Sequence, residues 1–378
     1  MKRRIKILFL GMSPNKGGIE KIALALFQNI SGTRIQIDFL TSHKEIAYEN
    51  VIKSLDGKIY RVNLHKGIEG ILKNIKTYYR FFKDHPEYTI VHNNLMSFYH
   101  IEALIAQKLA RVPIRIVHAR GSKITYDSLK IKVVHCINKP IALLCANKYF
   151  ACSRDAGVFM FNENIIRGKN YKWIKNGIQL ENFRFNLEAR KKTREQLGLN
   201  NKIVYGHVGA FLPVKNHKFL LEIFKELLVV QENAHLVLIG DGILKSDCIK
   251  YADSLNISSN ISFLGSIDNV NDLLCTMDNL IFPSISEGFG NVLIEAQATG
   301  LPCYISDNIP SEVNITNLIK RIPLSCSAKE WAEVIQNSQM INEREMFNKI
   351  IEENGFNIKD IAIRLQDYYL SNGDENYE

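Results

Sequence analysis

The chain has 378 residues, which is enough for two domains with separate cores. Hydrophobic residues make up 46% and charged residues 23%, a balance that excludes a largely disordered protein. Residues 1–170 carry 28 basic and 12 acidic side chains, a balance of +16, whereas the remainder carries 20 and 27, a balance of −7. A basic half of this kind suits nucleic acid, a membrane surface or an anionic substrate.

The amino terminus has basic residues followed by a short apolar stretch. We expect this stretch to form a first strand and not a signal peptide, because it is too short and runs into a glycine-containing turn. No apolar run approaches the roughly 20 residues that span a bilayer. The seven cysteines include no Cys-x-x-Cys pair, so neither a disulfide framework nor a zinc site is expected. These features predict a cytoplasmic protein.

The first half alternates short apolar strands with helices. The predicted strands are Ile5–Leu10, Ile35–Leu40, Ile59–Val62, Thr89–His92, Ile114–His118 and Lys148–Ala151. The predicted helices are Gly18–Ile30, Ile68–Phe82, Phe98–Ala110 and Leu129–Ala146. Strands that are apolar almost throughout and are separated by helices indicate a parallel sheet covered on both faces.

The same pattern repeats in the second half. Its predicted strands are Ile203–Val208, Ala234–Ile239, Ile261–Leu264, Asn279–Pro283 and Cys303–Ser306. Its predicted helices are Leu187–Leu197, Lys218–Val230, Leu244–Ser254, Val270–Thr276 and Val292–Thr299. We therefore predict an α/β protein of two doubly wound, Rossmann-like domains, 1–180 and 181–355. Residues 356–378 are expected to form a helix that returns to the first domain, near Ile358–Tyr369, and a frayed acidic tail from Ser371.

Ligands of open α/β sheets bind outside the carboxyl ends of the strands, so the site is expected in the cleft between two such domains. The most informative loop follows the strand ending at Pro283 and contains Gly288 and Gly290. A helix is predicted to begin near Asn291, taken as its N-cap, and to end before Gly300. Such a helix start is an anion site suited to phosphate. Glu287 and Glu295 can accept paired hydroxyl groups of a sugar or ribose.

The string Glu-Gly-Phe-Gly-Asn-x-x-x-Glu-Ala at residues 287–296 closely resembles the Glu-x7-Glu signature of the retaining glycosyltransferases of family 4, which have the GT-B fold. The resemblance extends over nearly the whole chain. It implies that the loop contributes donor-binding residues, which are Gly288, Phe289, Gly290, Asn291, Val292 and Glu295. Glu287 is implied to hold the transferred sugar.

Other segments resemble the same family in the same order. Gly17 and Gly18 resemble its Gly-Gly loop, which lies against the donor phosphate and the acceptor. Gly209 and Lys215 match a stretch that contacts the donor diphosphate, and Gly265 matches a loop near the nucleotide base. The junction Asn176-Gly177-Ile178 resembles the family's Asn-Gly-Ile-Asp.

The chain departs from the family where an arginine is expected, because Ala210 stands there. This replacement removes a bidentate phosphate clamp and leaves Lys215 as a point charge. Arg120 and Lys123 are candidates for a substitute cation. His118 resembles the family's histidine that faces the transferred sugar from the first domain, and His92 is a weaker candidate on the acceptor side.

The resemblance implies a retaining transfer of a hexose or N-acetylhexosamine from a nucleotide-sugar, such as a UDP-sugar, to a glycan or lipid-linked acceptor. Bacterial capsular or exopolysaccharide synthesis is the expected setting. No metal and no cofactor are expected, and no nucleic-acid partner. The alternatives are a catalytically impaired sugar-nucleotide-binding protein and a nucleotide-sugar epimerase; a nicotinamide oxidoreductase lacks its Gly-x-Gly-x-x-Gly loop.

The basic half also contains two helices that suit contact with an anionic membrane. The predicted helix Ile68–Phe82 carries basic and aromatic side chains, which are Lys73, Lys76, Arg80, Tyr78, Tyr79 and Phe81. The predicted helix Leu129–Ala146 carries Lys130, Lys132 and Lys139. The alternative is that both helices pack in the core with solvated lysines.

Overall fold

The computed structural model describes residues 4–30, 34–124, 129–267, 270–337, 341 and 343–374. The chain divides into two compact units, and each contains one parallel sheet. The first unit comprises Met1–Ile178 together with Asn357–Glu378, and the second comprises Gln179–Phe356. The two sheets confirm the predicted α/β fold of two Rossmann-like domains.

The first sheet has the strand order β3-β2-β1-β4-β5-β6-β7. Its strands are β1 (Ile5–Leu10), β2 (Ile35–Thr41), β3 (Ile59–Arg61), β4 (Tyr88–Leu95), β5 (Ile114–Ala119), β6 (Lys148–Ala151) and β7 (Tyr171–Trp173). The second sheet has the order β10-β9-β8-β11-β12-β13. Its strands are β8 (Ile203–Val208), β9 (Ala234–Ile239), β10 (Ile261–Gly265), β11 (Asn279–Phe282), β12 (Cys303–Ser306) and β13 (Ile319–Ile322).

Helices connect the strands in both units. Within the described residues they are α1 (Gly18–Ile30), α2 (Glu49–Ser54), α3 (Gly70–Asp84), α4 (Glu102–Leu109), α5 (Leu129–Cys145), α6 (Arg154–Met160), α7 (Glu163–Ile166), α8 (Leu187–Gln196), α9 (His217–Val230), α10 (Lys245–Ser254), α11 (Asn271–Thr276), α12 (Asn291–Ala298), α13 (Ala328–Gln336), α14 (Met346–Glu353) and α15 (Ile358–Asp374). Among the residues described, no helix is both long enough and apolar enough to cross a membrane.

Side chains of β1 alternate between two cores, as the period of a strand requires. Ile7 and Phe9 join the core that contains residues of α1 and α15, whereas Leu8 and Leu10 join the core that contains residues of α3 and α4. The first sheet is therefore covered on both faces, which explains why its inner strands are apolar almost throughout.

The structure also departs from the predictions. The edge strands β7 and β13 were missed, because each is short and carries charged residues such as Lys172 and Arg321. Five helices were missed as well, although Ser327 and Glu330 form a capping box that marks the start of α13. The helix α15 continues to Asp374, so the frayed tail predicted from Ser371 is wrong for residues 371–374. Gly373 explains this difference, because it packs closely against Ile5. Residues 375–378 of that tail lie outside the described residues.

Both sheets contain a point where the strand order reverses. The chain passes outward from β1 to β2 and β3, then returns to place β4 on the other side of β1. In the second sheet β8 is flanked by β9 on one side and by β11 on the other. Connections on either side of such a point diverge and leave an opening at the carboxyl ends of the strands, where ligands bind in this class of fold.

The carboxyl ends of β8, β9 and β10 approach one another closely. Gly240, which follows β9, has a φ of +143°, and a Cβ there would lie 2.1 Å from the carbonyl oxygen of Gly209. The amide of Gly240 donates to the carbonyl oxygen of Gly265 at 2.8 Å. Only glycine fits this position, because any side chain would separate the loops that follow β8 and β9.

We predict that Gly240→Ala lowers the free energy of unfolding by about 2–5 kcal/mol, the sum of a backbone penalty and steric overlap. Gly198→Ala is the matched control, because Gly198 also has a positive φ, +67°, but a Cβ there would meet nothing within 4 Å. It should cost only about 1–2 kcal/mol. Urea denaturation measures both, and equal losses would contradict the proposed close approach.

Candidate functional site

Lys215 and Glu287 form an ion pair at the carboxyl end of the second sheet. Lys215 ends a short 3₁₀ turn (Pro213–Lys215) after β8, and Glu287 lies in the loop after β11. The Lys215 Nζ atom lies 2.7 Å from Glu287 Oε1, and the two side chains are only 17% and 12% exposed. Lys215 Nζ also lies 4.9 Å from the centre of the Phe282 ring. A pair this well shielded from water interacts more strongly than a surface ion pair.

Backbone contacts hold the two loops together. The amide of Ile285 donates to the carbonyl oxygen of Val214 at 2.7 Å. The side chain of Asn216 donates to the carbonyl oxygen of Pro283 at 3.2 Å. Hydrogen bonds therefore connect the loop that carries Lys215 to the loop that carries Glu287.

Three predicted glycines surround this ion pair. A Cβ on Gly209 would lie 3.3 Å from the side chain of Lys215, and a Cβ on Gly290 would lie 3.9 Å from Glu287 Cγ. Gly265 is connected to these residues indirectly. Its carbonyl oxygen accepts from the amide of Gly240, and Gly240 packs against Gly209. The structure thus brings together predicted residues that are up to 81 positions apart in the sequence (Gly209 and Gly290).

The helix α12 begins beside this ion pair, but its N-cap differs from the prediction. Gly290, with a φ of +92°, is the N-cap, and Asn291 is the first helical residue. An N-cap residue with a left-handed backbone favours glycine. This explains why the N-cap is Gly290 and not Asn291, the residue after it. Gly290 has no side chain with which to cap this helix, so the anion-site interpretation rests on the backbone of the helix start.

The other predicted residues of this segment differ in their surroundings. Gly288, Asn291, Val292 and Glu295 are half-buried, and Glu295 lies one turn into α12. The side chain of Phe289 is only 2% exposed and stacks on Phe356, with ring centres 5.9 Å apart. Phe289 therefore packs in the core of the second unit, and only its backbone remains a candidate for donor contact.

Two buried histidines next to the ion pair were missed by sequence analysis. The Nδ1 atom of His207 lies 2.9 Å from the carbonyl oxygen of Ile281 and donates to it. Its ring stacks on Phe282 and meets the ring of His217 edge-on, with centres 4.7 Å apart. A polar residue inside the apolar strand β8, two positions before Gly209, was the signal that could have revealed His207.

Burial determines the protonation of both histidines. The pKa of His207 is lowered to about 4 by burial and by the charge of Lys215, although the hydrogen bond to the carbonyl oxygen of Ile281 raises it. The pKa of His217 is lowered to about 2 by burial and by the neighbouring His207 and Lys215. Both rings are therefore neutral at pH 7. Lys215 is the charged group whose field acts on both of them.

Ala210, where an arginine was expected, is exposed. An alanine supplies no charge at this position, so Lys215 is the cation of this loop. The substitute cations that we considered, Arg120 and Lys123, belong to the first unit.

In the first unit, the predicted Gly17–Gly18 loop lies between β1 and α1. Glu20, in the first turn of α1, is buried, and its Oε1 atom accepts from the amide and the hydroxyl of Ser13 at 3.2 and 2.5 Å. A Cβ on Gly17 would lie 2.9 Å from Glu20 Oε2. Glu20 therefore closes the loop, while Gly18 is exposed at its tip.

His118 lies one residue before the end of β5, and His92 lies beside it within β4, which continues to Leu95 and does not end at His92 as predicted. Both side chains are fully buried, and His118 Nδ1 lies 2.9 Å from His92 Nε2. The Nε2 atom of His118 is buried and has no hydrogen-bond partner within the described part of the chain. An unpartnered buried nitrogen costs about 1–3 kcal/mol, which suggests that a ligand or water satisfies it in the working protein.

Among the described residues, no cluster of three or more histidine, cysteine, aspartate or glutamate side chains could hold a metal ion.

Two Rossmann-like domains with these sheets define the GT-B class of protein. A family profile, Glycosyl transferases group 1, matches residues 189–355, which form most of the second unit. The chain is 30% identical over 377 residues to EpsF of Bacillus subtilis (strain 168), provisionally named a glycosyltransferase, covering 98% of this chain and 97% of EpsF. The chain belongs to the glycosyl transferases group 1 family.

Two further relatives extend the comparison. The UDP-Gal:alpha-D-GlcNAc-diphosphoundecaprenol alpha-1,3-galactosyltransferase of Escherichia coli is 24% identical over 384 residues, with 97% of each chain covered. Anabaena HepE, whose crystal structure contains UDP and glucose, superposes with a TM-score of 0.74 at 19% identity, covering 97% of this chain and 100% of HepE. The likeness to HepE supports the fold alone.

We predict that His207 makes the stability of the protein depend on pH. Between pH 6.5 and about 4 the unfolded chain binds a proton at His207 that the native protein excludes. The free energy of unfolding should therefore fall as the pH falls, by up to about 1.4 kcal/mol per pH unit for this residue. Urea denaturation from pH 7 to pH 5 measures the slope. In His207→Phe, which keeps a ring against Phe282, the slope should decrease by one proton; an unchanged slope would contradict the assignment.

Proposed function

We propose that the protein is a retaining glycosyltransferase that moves a hexose or N-acetylhexosamine from a UDP-sugar to a lipid-linked or glycan acceptor in bacterial surface polysaccharide synthesis. Its family membership supports sugar transfer. The name of the E. coli relative, which specifies UDP-galactose and a diphosphoundecaprenol acceptor, motivates the donor and acceptor classes. The observation that carries the proposal is the shielded Lys215–Glu287 ion pair beside the start of α12.

The donor diphosphate lies on the start of α12 in this proposal. The amides of a helix start and the partial positive charge there attract phosphate oxygens. The ammonium group of Lys215 neutralises the charge that develops on the leaving nucleoside diphosphate. Glu295, one turn further along α12, accepts hydrogen bonds from the ribose hydroxyls. Gly288, Gly290, Asn291 and Val292 bring backbone amides close to the donor.

Glu287 has two carboxylate oxygens, and its pair with Lys215 engages Oε1. In the proposed complex Glu287 accepts from hydroxyls of the transferred sugar and orients the anomeric carbon. The acceptor hydroxyl attacks this carbon on the face from which the diphosphate leaves. A new C–O bond forms, the bond to the phosphate oxygen breaks, and the hydroxyl proton passes to the leaving phosphate. His118, whose Nε2 atom has no hydrogen-bond partner within the described residues, is the first domain's candidate for contact with the donor or the acceptor.

Membrane attachment of the first domain completes the proposal. On α3, Lys73, Lys76 and Arg80 are exposed, and the neighbouring Leu72 is 78% exposed. Tyr78 is buried instead, so it does not belong to this surface. On α5, a stripe of apolar side chains spaced three or four residues apart is exposed: Leu129, Val133, Ile137, Ile141 and Leu144.

Such surfaces combine apolar contact with attraction to anionic lipid at the inner face of the plasma membrane. Lys130 and Lys132 flank the α5 stripe and are exposed. Lys139 does not contribute, because its Nζ atom donates to the carbonyl oxygen of Phe159 at 2.8 Å.

Product analysis with labelled UDP-sugars tests the proposed reaction. Transfer of label to a lipid-diphosphate sugar acceptor with the anomeric configuration of the donor would support it. Release of an epimerised nucleotide-sugar would identify an epimerase. Binding of the donor without turnover under any acceptor would identify an impaired sugar-nucleotide-binding protein.

We predict that Glu295→Ala weakens UDP binding about tenfold or more, because a carboxylate hydrogen bond to ribose is lost. Glu287→Ala should reduce turnover much more than UDP affinity, since its partner is the sugar. Isothermal calorimetry with UDP and a turnover assay measure the two effects. Glu232→Ala is the control, because Glu232 is exposed and precedes β9, at the amino end of that strand. Unchanged affinity and turnover in both site variants would contradict the assignment.

Activity should persist in excess EDTA, because the diphosphate charge is neutralised by the start of α12 and by Lys215. The turnover assay with and without the chelator measures this. Loss of activity in EDTA and its recovery with magnesium or manganese would refute the metal-independent mechanism.

The first domain should bind anionic liposomes at low salt. Each basic residue near the surface contributes about 1 kcal/mol. Binding should weaken as the Debye length shrinks from about 10 Å at 0.1 M salt to about 3 Å at 1 M. Replacing Lys73, Lys76 and Arg80 with glutamate should reduce co-sedimentation. Replacing the exposed second-domain residues Lys191, Lys192 and Lys225 with glutamate is the control of equal charge. Protein that stays in the supernatant with anionic liposomes at low salt contradicts attachment.

A further inference from the structure

Three buried side chains of the first unit form a continuous hydrogen-bonded chain. Tyr369, on α15, places its hydroxyl 2.6 Å from His92 Nδ1. His92 Nε2 lies 2.9 Å from His118 Nδ1. All three residues are 0% exposed. This series of hydrogen bonds therefore links α15 to the end of β5. His118 Nε2 is the terminal atom of the series.

The direction of these hydrogen bonds follows from the number of protons available. Within the described residues, the Tyr369 hydroxyl bonds only to His92. It must therefore donate, because otherwise its own hydrogen would be buried without an acceptor. Burial lowers the pKa of His92 and of His118 well below the usual value, so each ring is neutral and carries one N–H.

This count determines both tautomers. His92 accepts at Nδ1 from Tyr369, so its single N–H is on Nε2 and donates to His118 Nδ1. His118 then carries its proton on Nε2, the buried atom without a partner in the part of the chain that the structure describes. These hydrogen bonds thus make His118 a donor toward an oxygen atom that the described residues do not supply.

Arg120 lies two residues after His118, directly beyond the end of β5, and its charge is close enough to lower the pKa of His118. It is 5% exposed and donates from Nε to Asn94 Oδ1 at 3.0 Å and from Nη1 to Asn176 Oδ1 at 2.6 Å. Both acceptors are neutral amides. Neither an ion pair with a carboxylate nor a hydrogen bond from Nη2 occurs for Arg120 within the described residues.

A buried guanidinium without an anion is costly, and Arg344 shows how this fold satisfies one that is structural. Arg344 is 6% exposed, and its three side-chain nitrogens donate to the backbone carbonyls of Thr299, Cys275, Met277 and Leu274. Within the part of the chain that the structure describes, the Arg120 side chain makes only two hydrogen bonds, both to asparagine side chains. Burial lowers the pKa of Arg120 to about 10, so it still carries its charge at pH 7.

We propose that His118 Nε2–H and the Nη2 group of Arg120 form an oxyanion site in the first unit that takes a phosphoryl group, and that Tyr369 and His92 are the positioning residues that hold His118 as a donor. The identity of the phosphoryl group rests on the proposed function, in which it belongs either to the UDP-sugar or to the lipid diphosphate of the acceptor. An arginine and an N–H donor side by side suit phosphoryl oxygens.

The tautomer is measured by nitrogen-15 NMR of the full chain labelled at histidine, with the His118 signal assigned from a His118→Gln variant. We expect the Nε2–H form of His118 in the wild-type protein and a mixture of tautomers in Tyr369→Phe. Tyr368→Phe is the matched control, because the neighbouring Tyr368 hydroxyl is buried but has no hydrogen-bond partner among the described residues. An Nδ1–H form in the wild type, or an equal effect of both variants, overturns the positioning role. This measurement needs no substrate, so it stands even if sugar transfer is refuted.

The oxyanion site is tested by calorimetry with UDP, inorganic pyrophosphate and a short prenyl diphosphate. Arg120→Gln should weaken pyrophosphate binding about tenfold or more. A parallel loss with UDP assigns the phosphoryl group to the donor, and a loss with prenyl diphosphate alone assigns it to the acceptor. Arg120→Lys, which keeps the charge, should retain part of the binding. If Arg120→Gln does not fold, the wild-type His118 signal should still shift on adding pyrophosphate. Unchanged binding of all three probes, or no shift, overturns the proposal.

Discussion

The adjacency of β8 and β11 is the constraint on which the candidate donor site depends. These strands are neighbours in the sheet although β9 and β10 separate them in the sequence. Their following loops therefore leave the sheet at the same point, which brings Lys215 to 2.7 Å from Glu287. The helix α12 starts from the second of these loops, so its start lies beside the ion pair. Ion pair, helix start and glycines are consequences of one strand order.

The first sheet repeats this order around β1 and β4 but builds different chemistry. Its carboxyl edge carries Glu20 closing the Gly17–Gly18 loop and the buried pair of His92 and His118. At this edge the second unit thus offers a paired ammonium and carboxylate, whereas the first offers buried, neutral histidines and the guanidinium of Arg120. In the proposed reaction the second domain binds the donor through Lys215 and Glu287, and the first domain binds a phosphoryl group through His118 and Arg120.

Sequence reasoning recovered the fold because apolar periodicity reports burial directly. The helix α1 and the strands β1, β8, β9 and β12 begin and end where they were predicted. The edge strands β7 and β13 escaped because an edge strand is half exposed and tolerates charge, which removes the apolar signal. Local motifs also located the loops of the site, since glycines, a helix start and a strand end are neighbours in sequence.

Contacts between distant residues could not be read in this way. The salt bridge of Lys215 with Glu287 spans 72 positions, and the hydrogen bond of Tyr369 with His92 spans 277. The sequence suggested separate roles for Lys215 and Glu287, but nothing in it indicated that the two side chains meet before the donor arrives. Phe289 lies inside the recognised motif, but its side chain is buried in the core and does not face a ligand. A motif identifies a segment, whereas packing decides which atoms of that segment face the ligand.

The central claim is that Lys215 binds the donor diphosphate while Glu287 engages the sugar, although the two are paired in this structure. The most direct measurement is a double-variant cycle of Lys215→Met and Glu287→Gln, read by calorimetric titration of UDP. We expect Lys215→Met to weaken UDP binding about tenfold or more, whereas Glu287→Gln leaves it unchanged or tightens it, because removing the carboxylate frees the ammonium for phosphate. UDP affinity that is insensitive to Lys215→Met, or that falls equally in both variants, would contradict the account.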